Sequence, residues 1–276
     1  MKKIFITDLD HTFLRSDLSI STFTEEIWNS KTENALLSVA TARSYKKSEQ
    51  FLKKLHLNAP MVLLDGALVV TPQKKIIDMK LLDKEISDAV VFEGAKFGIY
   101  PFIISLLDRE LNEAFIYPSI RNDFQSQLLE RYSGDDNLVE HKTLSAMDEN
   151  FKLVYMGEES LLRPLTTHLE GVFGDALEFK LAPEAYLGCY FLTILHPKAD
   201  KAHGLLKVGE YLSRELSDFT VFGDNINDLG MFELSGTAVA VANALSEVKE
   251  AADIVLEHTN DEDAVAKYLA PKQELI

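Results

Sequence analysis

Sulfur is scarce in this sequence. Cys189 is the one cysteine among 276 residues, so neither an intramolecular disulfide nor a thiolate metal centre can form. A reducing compartment fits, and a cytoplasmic location is expected. Long apolar runs are missing too. After Lys2 and Lys3 the run Ile4-Phe5-Ile6 stops at Thr7-Asp8, too early for a signal-peptide core, and no apolar stretch reaches the length of about 18 residues that a membrane span needs. Basic residues are the minority charge: 28 Lys+Arg stand against 44 Asp+Glu, a formal charge of −16. Such a field repels phosphodiester backbones and anionic lipid surfaces, so no nucleic acid and no membrane is expected as a partner. No Pro-, Gly- or Ser-rich linker and no internal repeat interrupts the chain.

Several catalytic signatures are also lacking. There is no G-x-x-x-x-G-K-[ST] phosphate loop, no G-x-G-x-x-G fingerprint and no G-x-S-x-G elbow, which removes P-loop kinases, Rossmann dehydrogenases and serine hydrolases. Read as a calcium loop of the EF-hand type from Asp224, the acidic stretch has Ile226 third, Leu229 sixth and Ser235 twelfth, where oxygen, glycine and glutamate are needed. What is present is an ordinary globular composition, 46% hydrophobic and 26% charged, long enough for one large domain or two unequal ones.

The two ends of the chain read as α/β units. Lys3–Thr7, Leu36–Ala40 and Pro60–Leu64 are short branched and aromatic runs that suit buried strands, with a helix from Tyr45 to Leu57 capped by Ser44. Their spacing implies a parallel sheet with crossovers. The alternation resumes with a helix over Gly204–Leu216, strands at Phe219–Phe222, Thr237–Val241 and Asp253–Leu256, and a closing helix at Asp263–Leu269. Between them the pattern mixes helices near 84–97, 123–132 and 160–172 with strands near 151–155, 177–181 and 190–195. The expected fold is α/β: a Rossmannoid core with a parallel sheet, formed by residues 1–80 and 193–276, with an inserted α+β cap domain over 81–192. Open α/β sheets bind ligands beyond the carboxyl ends of their strands. Asp8, Asp10, Thr41 and Asp224 should therefore converge.

Asp8 and Asp10 at a strand end can serve as nucleophile and proton carrier or as metal ligands, or can belong to a solvated loop capping a helix. A second acidic cluster, Gly223-Asp224-Asn225-Ile226-Asn227-Asp228, ends another strand and favours the chemical reading. Lone Cys189, followed by Tyr190-Phe191-Leu192, reads as a packed strand residue.

Asp8-Leu9-Asp10-His11-Thr12, Thr41-Ala42-Arg43, Lys201 and the 223–228 cluster fall in the order and spacing of the four motifs of the haloacid dehalogenase superfamily. The stretch from Gly223 through Met231, with 239–244, 248–249, 252–253 and 260–263, resembles its Cof-type sugar phosphatase branch, whose large α/β cap sits where the insertion falls. The resemblance implies a magnesium-dependent phosphomonoesterase acting on small phosphorylated metabolites through a phosphoaspartate. Asp8 would be nucleophile and metal ligand, Asp10 proton carrier and backbone ligand, and Asp224 and Asp228 further groups around Mg2+. Thr41 and Lys201 would hold the transferring phosphoryl oxygens, and Arg43 and Asn227 would contact substrate.

Three positions depart from the branch's usual residues: His11 and Ala42 stand where glycine is usual, and Asp65-Gly66 replaces Asn-Gly. Tyr117, Arg121, Lys180 and Tyr186 are candidate cap contacts to substrate. A phosphomutase of the same fold, or a non-catalytic sensor of phosphorylated ligands, are the alternatives, and a monomer or small homo-oligomer is expected.

Overall fold

In the computed structural model, which describes residues 2–184 and 186–271, the chain divides into two compact units. One comprises the residues up to Met79 and those from Asp200 onward; the other is Lys80–Ala199.

The first unit begins with β1 (Lys3–Thr7), α1 (Thr22–Lys31), β2 (Ala35–Val39), α2 (Tyr45–Leu52) and β3 (Met61–Leu63), then β4 (Leu68–Val70) and β5 (Ile76–Met79). The inserted unit runs β6 (Leu82–Asp83), α3 (Lys84–Ala95), β7 (Phe102–Leu106), β8 (Glu113–Pro118), α4 (Asp123–Arg131), β9 (Leu138–His141), β10 (Glu149–Gly157), α5 (Glu159–Phe173), β11 (Glu178–Glu184) and β12 (Cys189–Leu195). The chain then returns through α6 (Lys201–Leu212), β13 (Phe219–Gly223), α7 (Leu229–Leu234), β14 (Thr237–Ala240), α8 (Ser246–Ala251), β15 (Ile254–Val255) and α9 (Ala264–Leu269).

The central sheet of the first unit is parallel, in the order β15-β14-β13-β1-β2. Ile4, Ile6, Leu37, Val221 and Val239 in its strands are fully buried, as expected of strands covered on both faces. Phe5 and Phe222 lie on one face, where Phe222 meets Tyr268 of α9 edge-on and Lys31 of α1 lies over Phe5. Trp28 of α1 is sealed against Phe13, its indole N–H donating to the His56 carbonyl.

One expectation needs correction. Residues 60–64 do not supply a third full strand of the parallel sheet. A single parallel bridge joins Ala40 to Val62, while β3 pairs antiparallel with β4 and β4 with β5 in a separate three-stranded sheet. The apolar run specified a strand; the hairpin that follows captured its hydrogen bonds.

In the inserted unit a seven-stranded sheet has the order β11-β12-β10-β7-β8-β9, with β6 on β10. Val90, Leu162, Leu165 and Leu169 of α3 and α5 share a core with Ile103, Leu153, Leu192 and Ile194 of the sheet. The expected boundary after Leu192 falls inside β12, whose pairing with β10 continues to Leu195. Among the described residues no helix is long and apolar enough to cross a membrane.

Candidate active site

Adjacent parallel strands deliver the acidic residues to one place. β1 and β13 pair side by side, and the chain leaves them in different directions, β1 toward β2 and β13 toward β14. This is a switch point of the kind at which open sheets bind ligands. Asp8 follows β1, its amide donating to the Phe222 carbonyl at 2.9 Å. Asp224 follows β13. Thr41 follows β2, its amide bonded to the Val62 carbonyl at 2.9 Å.

Local chemistry shapes each loop. After Asp8 the chain closes a tight turn in which Phe13 and Leu14 both donate to the Leu9 carbonyl. The turn places His11 at φ 57°, a left-handed position that glycine occupies without cost and histidine only with strain. The His11 carbonyl accepts from Asn243 Nδ2 at 2.7 Å, and Asn243 Oδ1 takes the Asn260 amide, so the turn is braced from the far end of the chain. Gly223 has no side chain because the Asp228 carboxylate occupies that space. Asp228 Oδ2 in turn accepts the amides of Asp224 and Asn225 at 3.0 and 3.1 Å, which fixes the acidic loop on itself.

Lys201 sits in the middle of the charges. It is the first residue of α6, whose cap Asp200 accepts the His203 amide at 2.6 Å. Its ammonium is fully buried and donates at 2.7 Å to both Asp8 Oδ1 and Asp228 Oδ1. Burial works against this cation, but the neighbouring charges of Asp228, Asp8 and Asp65 hold its pKa above the ordinary lysine value. Burial drives the Asp8 carboxyl well above the usual carboxylate range, with the Lys201 charge pulling against it. The Asp224 carboxyl is pushed up to about 7, first by burial and then by the Asp228 charge, while the Thr12 hydroxyl opposes the shift through a 2.6 Å hydrogen bond to Oδ1.

The donor set fits a hard divalent cation. Ligand oxygens of Asp8, Asp224 and Asp228 lie within 4.8 Å of one another, and all three residues are buried. Among the described residues Lys201 alone of the groups touching them is cationic, so the cluster carries a surplus of negative charge that a divalent ion would cancel. Asp8 Oδ2 and Asp224 Oδ2 accept no hydrogen bond among the described residues, which leaves Asp224 Oδ2 open to a metal and Asp8 Oδ2 open to a reacting group.

The remaining expected residues also gather here. Arg43 reaches Asp10 with both Nε and Nη2, at 2.7 and 2.6 Å, and rests on the Phe51 ring. Thr41 Oγ1 accepts the Arg43 amide at 3.1 Å. Asn227 Nδ2 donates to Asp65 Oδ1 at 2.9 Å. Two residues that sequence reasoning left without a role therefore belong to the cluster. Thr12 touches Asp224, and its place two residues beyond Asp10 was the available signal. Asp65 touches Asn227, and its replacement of the usual asparagine was the signal there.

The candidate cap contacts lie within the inserted unit. Arg121 stacks over the Tyr117 ring and pairs with Glu140, Lys180 Nζ donates to the Ala199 carbonyl, and the Tyr186 carbonyl accepts from Arg131. Cys189 is buried in β12, and burial pushes its thiol up to about 11, which makes it inert.

This combination of a parallel sheet and buried acid cluster has a counterpart among known proteins. The family model of haloacid dehalogenase-like hydrolases matches residues 5–269, and the chain belongs to that family. Within it the chain is a phosphatase of the Cof type. The 5-amino-6-(5-phospho-D-ribitylamino)uracil phosphatase YitU of Bacillus subtilis (strain 168) is 25% identical over 267 residues, spanning 95% of this chain and 94% of its own. A haloacid dehalogenase-like hydrolase from Bacteroides thetaiotaomicron superposes with a TM-score of 0.81 at 21% identity, with 98% of each chain covered. The subclass IIB sugar phosphatase BT4131 superposes with a TM-score of 0.74 at 19% identity, covering 97% of this chain and 98% of its own.

Proposed function

We propose that this phosphatase is a magnesium-dependent phosphomonoester hydrolase for small phosphorylated metabolites of the sugar phosphate kind, working through a phosphoaspartate on Asp8. The observation that carries this reading is the Asp8 carboxylate: one oxygen is held by buried Lys201, the other is open, and both lie at the switch point of the sheet.

Asp8 attacks phosphorus through its open oxygen. As the bond between phosphorus and the alcohol oxygen breaks, Asp10 gives that oxygen a proton. Asp10 then takes a proton from water, the water oxygen attacks the same phosphorus, and inorganic phosphate leaves with Asp8 restored. Lys201 and the Thr41 hydroxyl hold the transferring oxygens, and Asn227 and Arg43 contact the substrate. Asp8, Asp224 and the Asp10 carbonyl would hold Mg2+, with Asp228 beside them; the ion supplies the neutralisation that lets a carboxylate approach a phosphate dianion.

The inserted unit is the part we assign to choosing the alcohol, because groups that grip only a phosphoryl moiety cannot tell one alcohol from another. YitU is named for a phosphorylated ribityl compound and BT4131 for sugar phosphates; both support a phosphorylated polyol or sugar here. The deciding measurement is phosphate release from a panel of sugar phosphates, polyol phosphates and nucleotides with and without magnesium, using Asp8→Asn as the blank. Release that is equal in chelator, or equal in the blank, refutes the reading. Isomerised product without free phosphate identifies a mutase instead.

A further inference from the structure

Asp65 is a buried carboxylate that the reaction above does not use. It lies at the end of β3 in a segment with three successive left-handed residues: Leu64 at φ 53°, Asp65 at 56° and Gly66 at 98°. Aspartate tolerates this conformation and leucine does not, so the segment is strained. The surrounding structure imposes it. The Leu64 amide donates to the Arg43 carbonyl at 3.0 Å and the Asp65 amide to the Thr41 carbonyl at 3.1 Å. Gly66 packs so closely on the Asp200 backbone, just before Lys201, that a side chain there has no room.

The result is a carboxylate, 5% exposed, wedged among the phosphate-handling residues. Its Oδ1 accepts from Asn227 Nδ2 at 2.9 Å, its backbone is tied to that of Thr41, and its charge is felt by Lys201. An asparagine would fill the same space and still accept from Asn227. Relative to asparagine, aspartate adds negative charge.

From this geometry we infer that Asp65 is a positioning residue whose charge weakens the hold of the site on phosphate, so that inorganic phosphate, the dianionic product, leaves readily. Asn227 and Lys201, which would bind the phosphoryl oxygens, each lend part of their attraction to Asp65. The carboxylate also repels any dianion between them. At short range in a buried site one such charge changes anion affinity by about tenfold or more. Substrate and product share the phosphate group, so both are weakened, and tight retention of product is avoided at the cost of a higher KM.

This inference rests on the phosphatase reading, and calorimetric titration with inorganic phosphate in the presence of magnesium separates the two. Asp65→Asn keeps the left-handed turn and the contact to Asn227 but removes the charge. Asp65→Gly removes charge and contact, and glycine adopts the left-handed φ freely. Each variant should bind phosphate about tenfold tighter than the wild type, and phosphate should inhibit each at correspondingly lower concentration. A purely structural role would leave affinity unchanged or weaken it. Wild type that binds phosphate, with a folded variant of either kind binding no tighter, overturns the assignment of Asp65 alone. No binding by any of the three proteins overturns the phosphatase reading and this inference with it.

Discussion

Arg43 holds Asp10 by both carboxylate oxygens, Nε to Oδ2 at 2.7 Å and Nη2 to Oδ1 at 2.6 Å. A guanidinium has donors only, so a proton on either Asp10 oxygen would have to displace one arm of the fork. In the proposed reaction Asp10 would therefore exchange Arg43 for the alcohol oxygen when it delivers its proton. The same pair would return the carboxylate to a fixed orientation for the attack of water.

Asp10→Asn should lower turnover by about 10²–10⁴-fold. An alkyl phosphate should suffer most in the first step, whereas an activated aryl phosphate still transfers its phosphoryl group and then stalls on Asp8. A burst of aryl alcohol without matching phosphate is the expected record; equal amounts of the two products, with alkyl substrates still turned over, remove Asp10 from the proton-transfer role.

Arg43→Lys keeps the charge but loses the fork, and kcat should fall by about tenfold or more because Asp10 is no longer aimed. Combined with Asp10→Asn it should cost less than it does alone, since part of its effect passes through Asp10. Fully additive losses in a double-mutant cycle would show that Arg43 acts on the substrate alone and not through Asp10.

Lys201→Met leaves Asp8 and Asp228 facing each other without the ammonium that both contact. Breaking a buried pair in this way costs about 3–5 kcal/mol. Urea unfolding without metal should record that loss. Saturating magnesium should recover part of it, and phosphate release should stay at background, because the transferring oxygens have lost their cation.

The Asp224 carboxyl, pushed up to about 7, binds its proton more tightly in the folded chain than in the unfolded one. For a carboxyl shifted upward, folding stability falls as pH rises from about 4 to 7 when no metal is bound. Magnesium must displace the same proton, so its affinity should climb by about tenfold per pH unit below 7 and level off above. Unfolding with and without magnesium at pH 5 and pH 8 tests both: the stabilisation by the metal should be larger at pH 8. The reverse order would place the metal elsewhere.

Asp8 and Asp10 after a short apolar run, the acidic cluster at Gly223–Asp228 and the strands that carry them were legible in the residues, because a buried strand needs a continuous apolar run and a polar stop. The inserted unit was legible as a change of pattern. Four of its strands, β6, β7, β8 and β9, were not, nor was α1. The burial of Phe102–Leu106 is continuous, and a continuous apolar run has no period to separate strand from helix.

What only the tertiary structure decided is which groups pair. The apolar run at 61–63 called for a strand, yet its partner, β4, and its direction depend on the hairpin that follows. Thr12 could have capped a helix and instead donates to Asp224, 212 residues away. Arg43, expected to meet substrate, also grips Asp10 with both Nε and Nη2. Asp65 could have been a solvated turn residue and instead lies buried beside Asn227. A residue's own chemistry, fixed by the sequence, sets what it can donate, accept or carry. Whether that capacity is used depends on burial and on a partner within about 3 Å, and chain segments far apart in sequence supply both only when the sheet brings their ends together.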